Sequence, residues 1–186
     1  VKDIIKQFDD FRYSLTVLKG MIYKIKEEIE VPAIIDKVVQ SEFFATGKDI
    51  KGLNVTIPYK EKIMVYIKKI DPIAKKIGAI NTIKINKKNI IEGYNTDYLG
   101  FVTSLGKLAN NHKKALVLGT GGASKAIIYG LESIGIETTI VSRKKKKDNI
   151  ITYDDLNKKI IEENTIIINC TPLGTFPKIK ECPKIP

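Results

Sequence analysis

Residues 115–128, ALVLGTGGASKAII, decide the fold. Ala115 to Leu118 is a short, wholly apolar run, as expected of a strand buried on both faces of a parallel sheet. Gly119-Thr120-Gly121-Gly122 breaks that run, and the spacing predicts a helix over about Ala123 to Ile134. A strand, a glycine turn and a helix in this order bring backbone N–H groups and a helix N-terminus to where a pyrophosphate can be held. The third position of the G-x-G-x-x-G pattern is Ser124 rather than glycine. A plainer reading stands beside this one, in which the turn only caps a packing helix.

Downstream, Thr138 to Ser142 reads as a second strand and Thr165 to Asn169 as a later one, completing a β-α-β-α-β alternation. That alternation predicts a parallel, doubly wound sheet. An NAD enzyme usually carries an acid at the end of the second strand to hold the ribose hydroxyls. Here Ser142 and Arg143 stand there, and Asp148 lies beyond a run of lysines. The guanidinium fork of Arg143 suits a 2′-phosphate, so the expected cofactor is NADP. The alternative is that Arg143 opens a solvated basic loop.

Upstream the pattern is different. Gly52 to Ile57 is short, β-branched and closed by Pro58, which reads as a strand. Glu61 to Ile70 reads as a helix stopped before Asp71-Pro72. Asn81 to Asn86 and Ile90 to Tyr94 read as a hairpin turning at Lys87-Lys88-Asn89. A helix is expected over Tyr98 to Ala109, then a polar link over Asn110 to Lys114. Leu15, Leu18, Ile22, Ile25 and Ile29 recur at helical spacing within residues 1–30. The fold class expected is therefore α/β: an N-terminal α/β substrate domain over 1–103, then a Rossmann-type parallel-sheet cofactor domain over 104–186.

Composition narrows the function. The chain has 186 residues, 43% of them hydrophobic and 28% charged, as ordinary globular domains do. No run is long and apolar enough to span a bilayer, and residues 1–10 lack the apolar core of a signal peptide. A cytoplasmic protein is expected. Two cysteines and one histidine, His112, make neither a disulfide framework nor a metal site. The net charge of +11 points toward nucleic acid, but its make-up does not. Arg12 and Arg143 are the only arginines, so 30 of the 32 basic residues are lysines spread along the chain. Base and phosphate readout favours arginine, and no aromatic residues alternate with the lysines.

Three polar segments stand at strand ends in the first half: Asn54 to Lys60, Gly78 to Thr82 and Gly93 to Asp97. Ligands of open α/β sheets gather beyond strand carboxyl ends, so these loops could converge on one crevice. They carry amide, hydroxyl, ammonium and carboxylate groups suited to a small polyhydroxylated acid. Ketone reduction needs a proton donor and a charge stabiliser at the oxygen, and Lys60 oriented by Asp97 supplies both. Taken singly, Lys60 reads as a surface charge, Asp97 as a helix cap, and Asn54 and Asn81 as turn residues.

NVTIPYKE (54–61), GAINT (78–82), GYNTDYLGF (93–101), LGTGGASKA (118–126) and INCTPLG (168–174) together resemble, in order, the motifs of the shikimate dehydrogenase family. The resemblance implies NADPH-dependent, reversible reduction of 3-dehydroshikimate to shikimate, in aromatic amino-acid biosynthesis. It implies Lys60 and Asp97 as the catalytic pair, with Thr56, Asn81 and Asn95 binding substrate. It further implies a cofactor site of Gly119, Thr120, Gly121, Gly122, Ala123 and Ser124, a phosphate clip of Ser142, Arg143 and Lys144, and a segment beside the cofactor running from Asn169 through Cys170, Thr171 and Pro172.

The chain departs from the family in places. The family's opening glycine, histidine and prolines are missing, leaving Ser14 and Thr16 as the hydroxyls that would hold the substrate carboxylate. They read equally as ordinary helix residues. Thr175 stands where the family often has methionine. Family members also continue beyond the equivalent of Pro186, so the chain reads as a member without the C-terminal third. A parallel sheet ending after its third strand predicts an open edge, and with it association with another chain, such as a homodimer, or a marginal cofactor domain. Three other activities fit parts of this pattern: a catalytically impaired relative that binds NADP or a shikimate-like acid, a quinate or NAD-using relative, and a basic nucleic-acid-binding module.

Overall fold

Alternation of apolar and polar residues over 82–85 sends Ile83 and Ile85 inward and leaves Lys84 exposed, as a strand with one buried face requires. This is β3 (Thr82–Ile85) of a four-stranded mixed sheet that also contains β1 (Gly52–Asn54), β2 (Lys69–Ile70) and β4 (Ile91–Tyr94), in the order β1-β3-β4-β2. The computed structural model describes residues 51–85, 90–144, 150–176 and 179–186, all within one compact unit over 50–186. The helix expected within 1–30, Ser14, Thr16 and the hairpin turn at 87–89 lie outside the described residues.

The expected hairpin strands are present: β3 and β4 pair antiparallel, with Ile83 opposite Gly93 and Lys84 opposite Glu92. Gly93 leaves room for the fully buried Ile80, whose Cδ1 would clash with a Cβ at that position. Two other expectations are corrected. The first strand ends at Asn54, short of Ile57, because the chain turns there and Tyr59 N donates to Thr56 O at 2.9 Å. Residues 61–70 are not one helix but a 3-10 turn over Lys62–Tyr66 followed by β2. Val65, Ile67 and Ile70 lose rotamer freedom in a helix, and the edge of β4 offers Lys69 and Ile70 a parallel ladder instead.

Asp71-Pro72, read as a stop, also starts an unexpected short helix, α1 (Pro72–Ile77). Asp71 caps it by accepting from Ile73 N at 2.9 Å and Ala74 N at 3.1 Å, and Gly78 ends it at φ 75°. The helix expected over 98–109 is α2 (Asp97–Leu105), which passes at Gly106, φ 47°, into a 3-10 turn.

The second sheet contains β5 (Lys114–Leu118), β6 (Glu137–Ser142), β7 (Ile150–Thr152) and β8 (Ile166–Asn169), in the order β7-β6-β5-β8 and parallel throughout. This is the Rossmann-type order, and its direction reverses between β5 and β8. Strand β7 and helix α4 (Lys158–Glu163) extend the expected alternation, so four strands are present rather than three. Among the described residues β8 is an edge strand. Strand β5 is buried on both faces, as its apolar run implies: Ala115 and Val117 join Leu131 and Ile136, while Leu116 and Leu118 join Val141 and Leu156.

Helix α3 (Gly122–Ser133) serves both sheets. Leu131 packs on the parallel sheet, while Ala126 on another face is buried against Ile77 and Ala79. A Cβ at Gly130 would meet Val102 of α2 at 3.0 Å, so the two helices approach there as closely as glycine permits. No helix among the described residues is long and apolar enough to cross a membrane.

Candidate active site

The turn after β1 carries Lys60, whose carbonyl accepts from Ile80 N at 2.8 Å and so ties the turn to the residue before Asn81. Asp97 opens α2, where a carboxylate is favoured by the helix dipole. Its side chain caps nothing, because it turns to Lys60 instead: Lys60 Nζ donates to Asp97 Oδ2 at 2.7 Å. With side chains 15% and 30% exposed, the pair is sheltered yet reachable. Thirty-seven positions separate these residues, and the fold brings them together.

Asn81 completes the carboxylate's surroundings. Its Nδ2 donates to Asp97 Oδ1 at 2.7 Å and to Thr96 Oγ1 at 2.9 Å. Its Oδ1 accepts from Thr96 N and Thr82 Oγ1, both at 2.9 Å. Each oxygen of Asp97 therefore has its own donor, and the carboxylate cannot swing without losing one. Asn95 works from beneath. It is 5% exposed, donates through Nδ2 to Ala79 O at 3.0 Å and accepts Asp97 N on Oδ1 at 3.0 Å. Thr56 is exposed in the Lys60 turn. Thr96 and Thr82 were not singled out from the sequence, although both lie within the quoted polar segments. Their hydroxyls lock the Asn81 amide, a role that only the meeting of β3 with the start of α2 reveals.

The glycine turn lies at the reversal of strand order. Gly119 N donates to Val141 O at 2.8 Å and Cys170 N to Leu118 O at 2.9 Å, so the ends of β5, β6 and β8 stand side by side. Gly119 has φ 115°, and a Cβ there would meet Cys170 O at 3.1 Å. Gly121 faces open space and caps α3 without any side-chain hydrogen bond. Backbone N–H groups of a helix start thus lie beside the open space at Gly121, an arrangement that fits the phosphates of a dinucleotide. Thr120 and Ala123 line the turn half-buried. Ser124 is fully buried below it, with an Oγ that finds no hydrogen-bond partner among the described residues.

Ser142 is buried at the end of β6, while Arg143 and Lys144 are exposed beyond it. Burial pushes the Tyr153 hydroxyl pKa up, and the nearby Arg143 guanidinium pulls it back. Burial also raises the Cys170 thiol pKa. Thr171 N and Oγ1 both donate to Asn169 Oδ1, at 2.9 and 2.6 Å, shaping the turn into exposed Pro172.

The two groups of residues meet at one point. A Cβ on Gly122 would stand 2.9 Å from Lys60 Cβ and 3.4 Å from Ala79 Cβ, so the helix that begins at the glycine turn presses directly on the lysine.

A family model for the shikimate dehydrogenase substrate binding domain matches residues 22–83. The shikimate dehydrogenase (NADP(+)) of Clostridium beijerinckii is 45% identical over 142 residues, which cover 72% of this chain and 52% of that protein. Among solved structures, shikimate dehydrogenase 1 of Peptoclostridium difficile matches with a TM-score of 0.68 at 41% identity, over 84% of this chain and 59% of that one. The shikimate 5-dehydrogenase of Thermus thermophilus, solved in complex with NADP(H) and shikimate, matches with a TM-score of 0.65 at 26% identity, over 84% and 57%. The chain spans about half the length of the curated relatives it matches.

Proposed function

The chain belongs to the shikimate dehydrogenase family over the residues matched, and from that membership we propose that it interconverts 3-dehydroshikimate and shikimate with NADP(H), in the cytoplasm. The supporting observation is the 2.7 Å Lys60–Asp97 pair, set on the turn against which the glycine-turn helix packs. NADPH, when bound there, supplies the hydride for the substrate's ketone carbon. Charge then grows on the ketone oxygen, which needs a cation and a proton beside it. Lys60 fills both roles: its ammonium stabilises the oxyanion and passes a proton to it, and in the oxidative direction its amine takes the hydroxyl proton back. Asp97 keeps the Lys60 nitrogen in place, and Asn81 keeps Asp97 from rotating away.

Thr56 and Asn81 would hold substrate hydroxyls, with Ser14 and Thr16, outside the described residues, on the carboxylate. Asn95 contributes from the interior, by fixing the Asp97 backbone. Gly119 to Ala123 would hold the diphosphate, with Ser124 buried beneath them, Ser142, Arg143 and Lys144 would hold the 2′-phosphate, and Cys170 to Pro172 would stand beside the cofactor.

The test is direct. The purified chain should oxidise shikimate with NADP, read as NADPH absorbance, and Lys60→Ala should lower kcat by ~10²–10⁴-fold while leaving the NADP Kd unchanged. Undiminished turnover in Lys60→Ala would remove the lysine from the chemistry. Binding of both ligands without turnover would favour the impaired-relative reading. Faster turnover with NAD than with NADP, or with quinate than with shikimate, would reassign the cofactor clip or the substrate.

A further inference from the structure

We infer that Glu61 and Lys125 are positioning residues, an ion pair that clamps the Lys60 turn onto the first turn of α3 and so keeps the Lys60 ammonium aligned with the glycine turn. The inference rests on the proposed reading of Lys60 and the glycine turn as one site.

The geometry is a double contact. Residues three apart on a helix share a face, so Gly122 and Lys125 point the same way from α3. Gly122 takes Lys60 Cβ at the limit of close approach, 2.9 Å from where a Cβ would be. Lys125 Nζ takes Glu61 Oε2 at 2.5 Å. Two consecutive residues of one turn thus meet two residues of one helix face. A single contact would leave the turn free to pivot on the helix, and the second removes that freedom.

Folding alone does not account for the pair. Its side chains are 38% and 42% exposed, a setting in which ion pairs contribute little to stability. A lysine in the first turn of a helix also stands against the helix dipole, so Lys125 is poorly placed unless its charge is answered. Glu61 answers it, and draws the ammonium across to the turn that carries Lys60. Without Glu61, an unanswered cation would lie beside Lys60 and at the end of α3 that faces the anion site. The turn would then still be tethered by the Ile80 N to Lys60 O bond, the Lys60–Asp97 pair and the packing at Gly122.

The experiment compares the full chain with Glu61→Gln, Lys125→Met and the conservative Lys125→Arg. The first readout needs no ligand. Lysines are reductively methylated with ¹³C, and the Lys60 resonance is assigned by its loss in Lys60→Arg. In Glu61→Gln and Lys125→Met this resonance should move toward those of exposed lysines, while Tm changes by no more than about 2–4 °C. Lys125→Arg should keep the wild-type resonance. The second readout is turnover: kcat should fall about tenfold in the first two variants, with the NADP KM changed less than about twofold, and stay near wild type in Lys125→Arg. A Lys60 resonance at its wild-type position in both Glu61→Gln and Lys125→Met overturns the clamp, as does a Lys125→Arg variant that behaves like Lys125→Met. Should the wild type turn over no shikimate, the proposed function fails, and the Lys60 resonance still decides the clamp.

Discussion

Lys60 and Asp97 have no local pattern in common, and their pairing was legible only because several short polar segments follow one another in a familiar order. What that order could not reveal is how each residue is held. Asp97 looks like a helix cap in sequence, but its side chain turns away from the helix, because Lys60 and Asn81 offer stronger, charge-assisted partners. Asn95 reads as one more polar group in a loop. Its amide is buried and joined to the Ala79 carbonyl and the Asp97 N–H, partners that exist only once strand and helix have met. Gly122 shows the same limit, since the fingerprint accounts for a glycine near the turn but not for the lysine pressed against it. Gly122→Ala is expected to destabilise the chain by ~1–3 kcal/mol, as overpacking does, and to lower turnover by displacing Lys60. Urea denaturation checks the first effect, and a midpoint equal to wild type would mean that the Lys60 turn moves aside without cost.

At the scale of elements, long and strongly patterned segments were readable and short ones were not. Strand β5, the glycine turn and α3 follow from an apolar run, a glycine cluster and a helical spacing that all agree. The β3–β4 hairpin follows from strict alternation. Strand β2 has two residues and β7 has three, too few to carry a period, and each exists because a neighbouring strand offers an edge. Helix α3 also holds something that no single moment of hydrophobicity expresses, namely two faces with different partners. Ala126 is fully buried on the face turned to Ile77 and Ala79. Ala126→Leu should therefore cost ~1–3 kcal/mol, measured as a lower urea midpoint with an unchanged slope. A neutral result would show that α1 yields easily to α3.

For the molecule as a whole, pH acts through a cluster that takes no part in the proposed chemistry. Glu92 is buried on β4, where Lys69 donates to one carboxylate oxygen and the Tyr94 hydroxyl to the other, at 2.7 Å. Lys69 and then Tyr94 hold the Glu92 pKa below its ordinary 4.5, against a smaller opposing push from burial. The bond to Glu92 in turn raises Lys69 above 10.5 and Tyr94 above 10.0. A depressed carboxyl stabilises the fold above its unfolded pKa and loses that contribution as pH falls through the folded value. A raised lysine or tyrosine keeps its contribution below its unfolded pKa and loses it as pH rises through the folded one. The stability gap between wild type and Glu92→Gln should therefore be widest between about pH 4.5 and 10 and close toward acid. Urea midpoints over that range measure it, and a gap that widened below pH 4.5 would contradict the assignment. The helix with two faces bears on how this chain can change in length. At 3.6 residues per turn, one inserted residue rotates everything beyond it by about 100°. An insertion inside α3 would thus carry Ala126 away from Ile77 or Gly130 away from α2, and Leu131 away from the parallel sheet, in one event. Indels in descendants of this sequence should spare 122–133 and collect instead in the polar connection at 110–113, where no such double alignment is at stake.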